Sequence, residues 1–330
     1  MYSLEEIIGI TGDPFYMDAL ERMTFNALPS QTTDDYNNKQ YFQIANQVQI
    51  SRGVFNFSLP FDREMNNVLG MRSGYTCCLA NMHQGWPKFA QHLWYKNVKN
   101  GLAALAFSPN TIKTTVGADN TEIEIVETTN YPFDEKIQFD LKMKTSVEFP
   151  LDIRIPAWCK DPSIKINGKK LPVENNGQII SINRKWSNLD QLVVTFPMEV
   201  TISNWGRNSA TVERGPLVYA LKIKERWEKG NDEKEGDYFS VFPESEWNYG
   251  LVQDALKNPK EHIKISQVKT VNTDFVWNLA HAPIEITVPG KQIPGWKAVE
   301  GVAFQPVTAR DGIYRGKVSE KTNQLTLVPI

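Results

Sequence analysis

The 330-residue chain lacks an uninterrupted apolar run of about 18 residues or more, which excludes a membrane-spanning helix. Cysteine is sparse: three residues cannot form a disulfide framework, but two of them are adjacent, which opens metal or redox chemistry. Neither sign of charge is in excess, with 36 Lys+Arg against 38 Asp+Glu, so the net basic face of a nucleic-acid binder is missing. The four histidines are scattered and define no Ser/His/Asp arrangement. No G-x-G-x-x-G fingerprint or phosphate-loop motif occurs, leaving nucleotide chemistry without support. Finally, Met1-Tyr2-Ser3-Leu4-Glu5-Glu6-Ile7-Ile8 has none of the basic region, apolar core and small-residue cleavage site of a signal peptide. It reads as an amphipathic helix with no capping residue ahead of it, which suggests a chain cut inside an element.

What is present is an ordinary globular composition, 41% hydrophobic and 22% charged, long enough for about two or three domains. The first 95 residues read as mostly helical. Gly12, Asp13 and Pro14 supply a C-cap, an N-cap and a first helical residue in succession. Phe15, Ala19 and Met23 then recur at i, i+4, i+8, with Tyr16 and Leu20 alongside, as one apolar stripe. Residues 32–75 are less regular, with a turn at Asp34, Asp35, Asn37 and Asn38. A third helix is expected over 81–95, with Pro87 in its first turn or kinking it. After Asn100 the period changes from 3.6 to 2. Leu102–Phe107, Glu122–Glu127, Ile137–Lys142, Leu151–Ile155 and Gln191–Phe196 read as short strands. Hairpins around Asn167-Gly168 and Asn176-Gly177 would take in Ile164–Ile166 and Ile179–Ile182. This spacing argues a β-sandwich, with a second β-rich region after about residue 200. Residues 222–237, mostly charged, read as a solvated loop.

Tyr75-Thr76-Cys77-Cys78-Leu79-Ala80-Asn81-Met82-His83 is the strongest chemical signal. Adjacent cysteines on a turn into a helix have three readings: inert buried thiols, a strained vicinal disulfide, or two thiolates on one Zn²⁺. Zinc takes about four ligands, and no second pair with ligand spacing accompanies these. Cys159 falls in the expected sandwich, and neither His83 nor His92 is spaced as a partner. Asp34, Asp35, Asp62 and Glu64 could be paired carboxylates or merely solvated ones. Nine tryptophans and eleven tyrosines suit carbohydrate stacking, though most of them should be core.

The order of motifs resembles glycoside hydrolase family 127 and its relatives in family 146. Ile10-Thr11-Gly12-Asp13-Pro14 with Tyr16, Leu20-Glu21-Arg22 and Asn26 is similar to one family segment, and Tyr75 to Asn81 to its Cys-Cys motif. Arg154-Ile155-Pro156-Ala157-Trp158, then Ile166-Asn167-Gly168, then Val212-Glu213-Arg214-Gly215-Pro216-Leu217-Val218-Tyr219, follow in the family's order. The resemblance implies a mainly β chain with N-terminal helices: the remnant of an (α/α)₆ barrel over 1–98, then β-sandwich domains over 99–200 and 201–330. It implies a zinc-dependent, retaining, exo-acting β-L-arabinofuranosidase-like glycosidase acting on plant glycans or oligosaccharides. In that family a Glu-x-Cys pair and the Cys-Cys pair hold the zinc, the first cysteine of Cys-Cys is the nucleophile, and a separate glutamate is the acid/base. Carried over, Cys77 is nucleophile and metal ligand, and Cys78 is a metal ligand.

Departures from the family shape further expectations. The Glu-x-Cys pair and the acid/base glutamate lie in family segments preceding the one that resembles Met1–Ile10, so the chain is expected to be a C-terminal part, inactive alone. Cys78-Leu79-Ala80-Asn81-Met82-His83 replaces Cys-Cys-Pro-Pro-Asn, and Tyr41 to Gln47 replaces a sugar-facing aromatic run. Gln43, Asn46 and His83 are therefore candidate substrate contacts, the alternative being structural hydrogen bonding. Phe15, Met23, Trp86 and Phe89 would be exposed by a partial barrel unless the sandwich or a second copy covers them, which raises a homo-oligomer as a partner state. Compartment stays open between the periplasm or cell envelope, to which relatives that degrade plant glycans are often exported, and the cytoplasm. The reading of another class is a non-catalytic carbohydrate-binding or structural β-sandwich protein with a helical cap.

Overall fold

Gly12 and Asp13 set the first structural event. Gly12 takes the left-handed conformation (φ 65°) and ends helix α1, Tyr2–Thr11, its N–H donating to the Ile8 carbonyl. The Asp13 carboxylate accepts from the Phe15 N–H and starts α2, Pro14–Arg22, with Pro14 at the first position. The apolar stripe differs from the expected one. Met17, Leu20 and Glu21 are buried, whereas Phe15 is 65% exposed. The helix is turned so that the i, i+3, i+4 set of Met17 faces inward, because the carboxylates of Asp18 and Glu21 have buried partners to reach.

In the computed structural model, residues 1–56, 64–173, 178–268, 275–310 and 312–330 are described. They group into two compact units, each discontinuous in sequence: Met1–Phe25, Gln84–Glu199 and Gly215–Leu217 in one, Asn26–His83, Val200–Arg214 and Val218–Ile330 in the other. The chain passes from one unit to the other near residue 200, and the helices before residue 26 group with the strands that follow Gln84. The helix expected over 81–95 is two short ones, α3 (Thr76–Met82) and α4 (Gly85–Gln91), followed by a strand, Trp94–Lys96. Pro87 sits in the first turn of α4, where its missing N–H costs nothing. Of the residues that a partial barrel would expose unless covered, Phe89 is buried, in edge contact with Phe25 and Trp86.

The first unit contains the expected β-sandwich. One sheet runs in the order Lys169–Leu171, Ser163–Ile166, Gln191–Thr195, Lys136–Met143, Thr121–Thr129, Asn110–Val116. The other runs Ile179–Trp186, Val147–Arg154, Leu102–Ala104, Trp94–Lys96, with Leu102–Ala104 parallel to its Leu151–Ile153 neighbours. Alternation does the work: Ile123, Ile125, Ile137, Phe139, Leu141, Leu192 and Val194 from one sheet and Phe149, Leu151, Ile153, Ile182 and Trp186 from the other are buried. The rings of Trp94 and Phe139 meet edge to face across the two sheets at 5.6 Å. Asn167 and Gly168 both take positive φ and close the expected hairpin. Ile179–Trp186 does not form a hairpin with that strand but pairs with Val147–Arg154 in the opposite sheet. The Asn176-Gly177 turn lies outside the described residues.

Two of the sequence motifs meet inside this unit. Arg154, fully buried, donates to Asp18 (3.0 Å) and to Glu21 (2.5 Å). Glu21 also accepts from the Tyr131 hydroxyl at 2.6 Å and the Trp158 indole at 3.4 Å, and Asp18 from the Gln178 amide at 2.6 Å. The buried cation thus has two carboxylates whose oxygens are themselves hydrogen-bonded, the condition under which a buried ion pair is tolerated.

The second unit has an antiparallel sheet in the order Val200–Asn204, Ala210–Arg214, Leu217–Leu221, Thr322–Pro329, Ile284–Gln292, Tyr249–Leu251, with Lys264–Gln267 also on Ile284–Gln292. A smaller sheet orders Lys39–Gln40, Leu69–Gly70, Gly236–Pro243, Glu225–Asp232. The last of these overturns the loop expected over 222–237. Glu225–Asp232 is an edge strand hairpinned to Gly236–Pro243, and its charges are tolerated because an edge strand at the surface can present both faces to water. No helix among the described residues is long and apolar enough to cross a membrane.

Candidate functional site

Helix α3 opens directly on the two cysteines, and the chain before it is shaped by Gly74. Gly74 has φ 70°, and a Cβ there would stand 2.0 Å from the Tyr41 ring, so only glycine lets Tyr41 lie against the turn. Tyr41 packs on Tyr75 at 5.3 Å, and its backbone N–H donates to the Ser73 hydroxyl, which in turn donates to the Met65 carbonyl at 2.8 Å. Lys39 is buried beneath this turn; its ammonium donates to the Ser73 carbonyl and lies 5.5 Å from the Tyr41 ring centroid.

Cys77 is exposed, Cys78 half-buried, and both are free thiols with their Sγ atoms 3.9 Å apart. The readings of two inert buried thiols and of a vicinal disulfide therefore do not describe this pair. Burial pushes the Cys78 thiol up, with the neighbouring Cys77 adding to it, while the Lys39 charge and the Tyr41 hydroxyl pull the other way. Burial in turn lowers Lys39, and the two thiol charges oppose that. Among the described residues no carboxylate pairs with Lys39, so its nearest prospective anions are the thiolates. The separation suits a shared metal: with Zn–S near 2.3 Å and tetrahedral angles, two thiolates on one ion stand roughly 3.8 Å apart. Among the described residues no group of three or more His, Cys, Asp or Glu side chains is arranged for a metal. Two thiolates are half of the roughly four ligands that zinc takes.

The other candidates are placed as follows. Gln43 is exposed and its amide donates to the Ser30 carbonyl at 2.7 Å. Asn46 is exposed with φ 61°, and its carbonyl accepts from the Ala303 N–H. His83 is exposed, its Nδ1 3.3 Å from the Leu79 carbonyl one turn back. No hydrogen bond among the described residues joins these three to the thiols. Asp34 and Asp35 do not pair: Asp34 accepts from Asn278, and Asp35 from Thr33 and Asn37. Glu64 pairs with Arg52, and Asp62 lies outside the described residues. Cys159 is buried in the first unit, where desolvation pushes its thiol up to about 12, so it is chemically inert at neutral pH. Lys39 is the residue that sequence reasoning missed; a lysine in a two-residue strand 38 positions before Cys77 carries no local signal.

A largely antiparallel sandwich joined to helices, together with a reduced cysteine pair at a helix start, defines the class: a mainly β chain carrying a dithiol site. Residues 102–198 match the family described as "Beta-L-arabinofuranosidase, GH127 middle domain", the family that the sequence motifs resemble. The structure is similar to that of a GH127 beta-L-arabinofuranosidase from Geobacillus stearothermophilus T6, with TM-score 0.66 and 18% identity over 99% of this chain and 45% of that one. A second GH127 beta-arabinofuranosidase aligns with TM-score 0.65 and 20% identity over 99% and 45%, and a structure named glycoside hydrolase with 0.62 and 19% over 98% and 47%. At these identities the likeness establishes the fold, and the chain spans just under half the length of those proteins. No curated protein matches the chain.

Proposed function

We propose that this chain is part of a zinc-dependent retaining exo-glycosidase, β-L-arabinofuranosidase-like, in which Cys77 is the nucleophile. The observation that carries the reading is the reduced pair itself: an exposed Cys77 with its Sγ 3.9 Å from that of Cys78, beside a buried lysine, in a chain whose residues 102–198 match the GH127 middle domain. When bound, zinc would be held by Cys77, Cys78 and the Glu-x-Cys pair that the family resemblance implies, and it supplies the charge that keeps the thiols deprotonated at neutral pH. The helices α1 to α4 belong, in this reading, to an (α/α)₆ barrel over 1–98, with sandwich domains over 99–200 and 201–330.

Cys77 attacks the anomeric carbon, the glycosidic C–O bond breaks, and the leaving oxygen takes a proton from a glutamic acid. Water, deprotonated by that same glutamate, then attacks the carbon, the C–S bond breaks, and Cys77 leaves as thiolate with net retention. Gln43, Asn46 and His83, all exposed and so open to a ligand, are the proposed sugar contacts. The test pairs two measurements. Zinc per chain, by elemental analysis, should be near zero for this chain and near one for a version extended through a Glu-x-Cys pair, lost on Cys77→Ser. Hydrolysis of an aryl β-L-arabinofuranoside should appear only in the extended version and vanish on Cys77→Ala. Sugar binding that ignores chelators and both cysteine substitutions would instead favour a non-catalytic carbohydrate-binding sandwich.

A further inference from the structure

Helix α1 carries a carboxylate whose burial its surroundings do not explain. Glu5 is completely buried and neither of its oxygens receives a hydrogen bond, although the next turn of the same face, at Ile8, is ordinary apolar core. A bare carboxylate cannot be kept there without a compensating proton or cation. The group facing it is His92, at the C-terminal cap of α4, whose Nδ1 is 3.7 Å from a Glu5 oxygen. That nitrogen also lies 2.7 Å from the Lys88 carbonyl, which can only accept, so Nδ1 carries hydrogen in the neutral ring. Protonation then places the second N–H at Nε2, 4.0 Å from Glu6.

The remaining charged or titratable neighbours are few. From α1 and the residue before it come Glu6, Tyr2 and the Met1 amino group; from α4, Lys88, whose ammonium lies 3.6 Å from the Tyr2 ring centroid; and from the strand Trp94–Lys96, Tyr95, whose hydroxyl donates to the Glu5 backbone carbonyl at 3.0 Å. None of these donates to the Glu5 carboxylate.

We infer that Glu5 and His92 hold one proton between them, as carboxylic acid and imidazole or as carboxylate and imidazolium, and that this proton clamps α1 onto α4. Either arrangement removes the uncompensated buried charge; loss of the proton restores it. The docked state therefore binds a proton more tightly than the undocked one, and docking is favoured at low pH and weakened as pH rises.

Hydrogen exchange in the full chain tests this, reading the amides of Ile7 and Ile8 from pH 5 to 9 after correction for intrinsic exchange rates. Linkage to one proton predicts protection that falls by up to about tenfold per pH unit across the titration window. Glu5→Gln, which keeps the shape and removes the titration, should leave protection independent of pH, while the amides of the sandwich strand Lys136–Met143 behave alike in both proteins. Wild-type protection of α1 that does not change with pH overturns the inference without reference to any variant. So does a Glu5→Gln protein that keeps the wild-type slope.

Discussion

Both units of the molecule bury side-chain cations, and two of these, Arg154 and Lys39, are treated oppositely. Arg154 in the first unit is met by Asp18 and Glu21, which are themselves held by Tyr131, Trp158 and Gln178. Lys39 in the second has a backbone carbonyl and two thiols nearby, and no carboxylate among the described residues. The first arrangement is closed: every charge has its partner, and its work is to fix α2 to the sandwich. The second leaves its positive charge to be balanced by anions that exist only when Cys77 or Cys78 ionises. A buried cation with a full set of carboxylates reads as architecture, whereas one facing thiols has its charge balanced only when they ionise.

The contrast can be broken most forcefully at Arg154. Arg154→Leu leaves the buried Glu21 and the half-buried Asp18 without their cation and should cost about 3–5 kcal/mol in denaturant unfolding of the full chain; a loss below 1 kcal/mol would mean the network is not structural. Glu127 offers the second test, as a buried carboxyl group of the first unit with hydrogen-bond donors, Ser108 N–H and the Asn110 amide, but no cation among the described residues. Desolvation raises it to about 8. Because the folded state holds this proton more tightly than the unfolded one, stability should fall as pH rises from the ordinary carboxylate range to about 8 and level off above that. Glu127→Gln should flatten that slope and gain a few kcal/mol at pH 8, read from chemical denaturation at a series of pH values.

Smaller effects belong to the second unit. Gly74→Ala forces a Cβ against the Tyr41 ring at a positive φ and should cost about 1–3 kcal/mol, displacing Tyr41 from the thiols. Slower unfolding in that variant would contradict the packing described here. Lys39→Met removes the charge that favours the Cys78 thiolate, and alkylation by iodoacetamide at pH 7.5 should slow by roughly threefold. An unchanged rate would show that Lys39 does not act on the pair.

Much of this molecule is legible before any coordinates. Gly12, Asp13 and Pro14 announce their caps because capping is a local matter of φ and one hydrogen bond, and the alternation from Leu102 to Phe196 reports burial directly. The face of α2 is less so. Its polar members Asp18 and Glu21 turn inward to meet Arg154, a residue 133 positions away from Glu21, and no local pattern encodes that appointment. The strand Glu225–Asp232 is hidden for a similar reason: an edge position relieves it of any inward-facing apolar set. At the site, adjacency makes the cysteine pair obvious. Lys39 and Tyr41 are invisible because a glycine turn 35 residues after Lys39 brings them to the thiols.

The same long-range pairing has a consequence for how the chain comes off the ribosome. Asp18 and Gln178, which share a hydrogen bond in the finished unit, are 160 residues apart, with Asn26–His83 assigned to the other unit in between. At 5–20 residues per second, α2 waits roughly 8–30 s for the strands that will neutralise its carboxylates and cover Met17 and Leu20. During that interval the helix is an amphipathic segment with an unfilled face, the kind of nascent chain that depends on holding by the cell's folding machinery until its partners arrive.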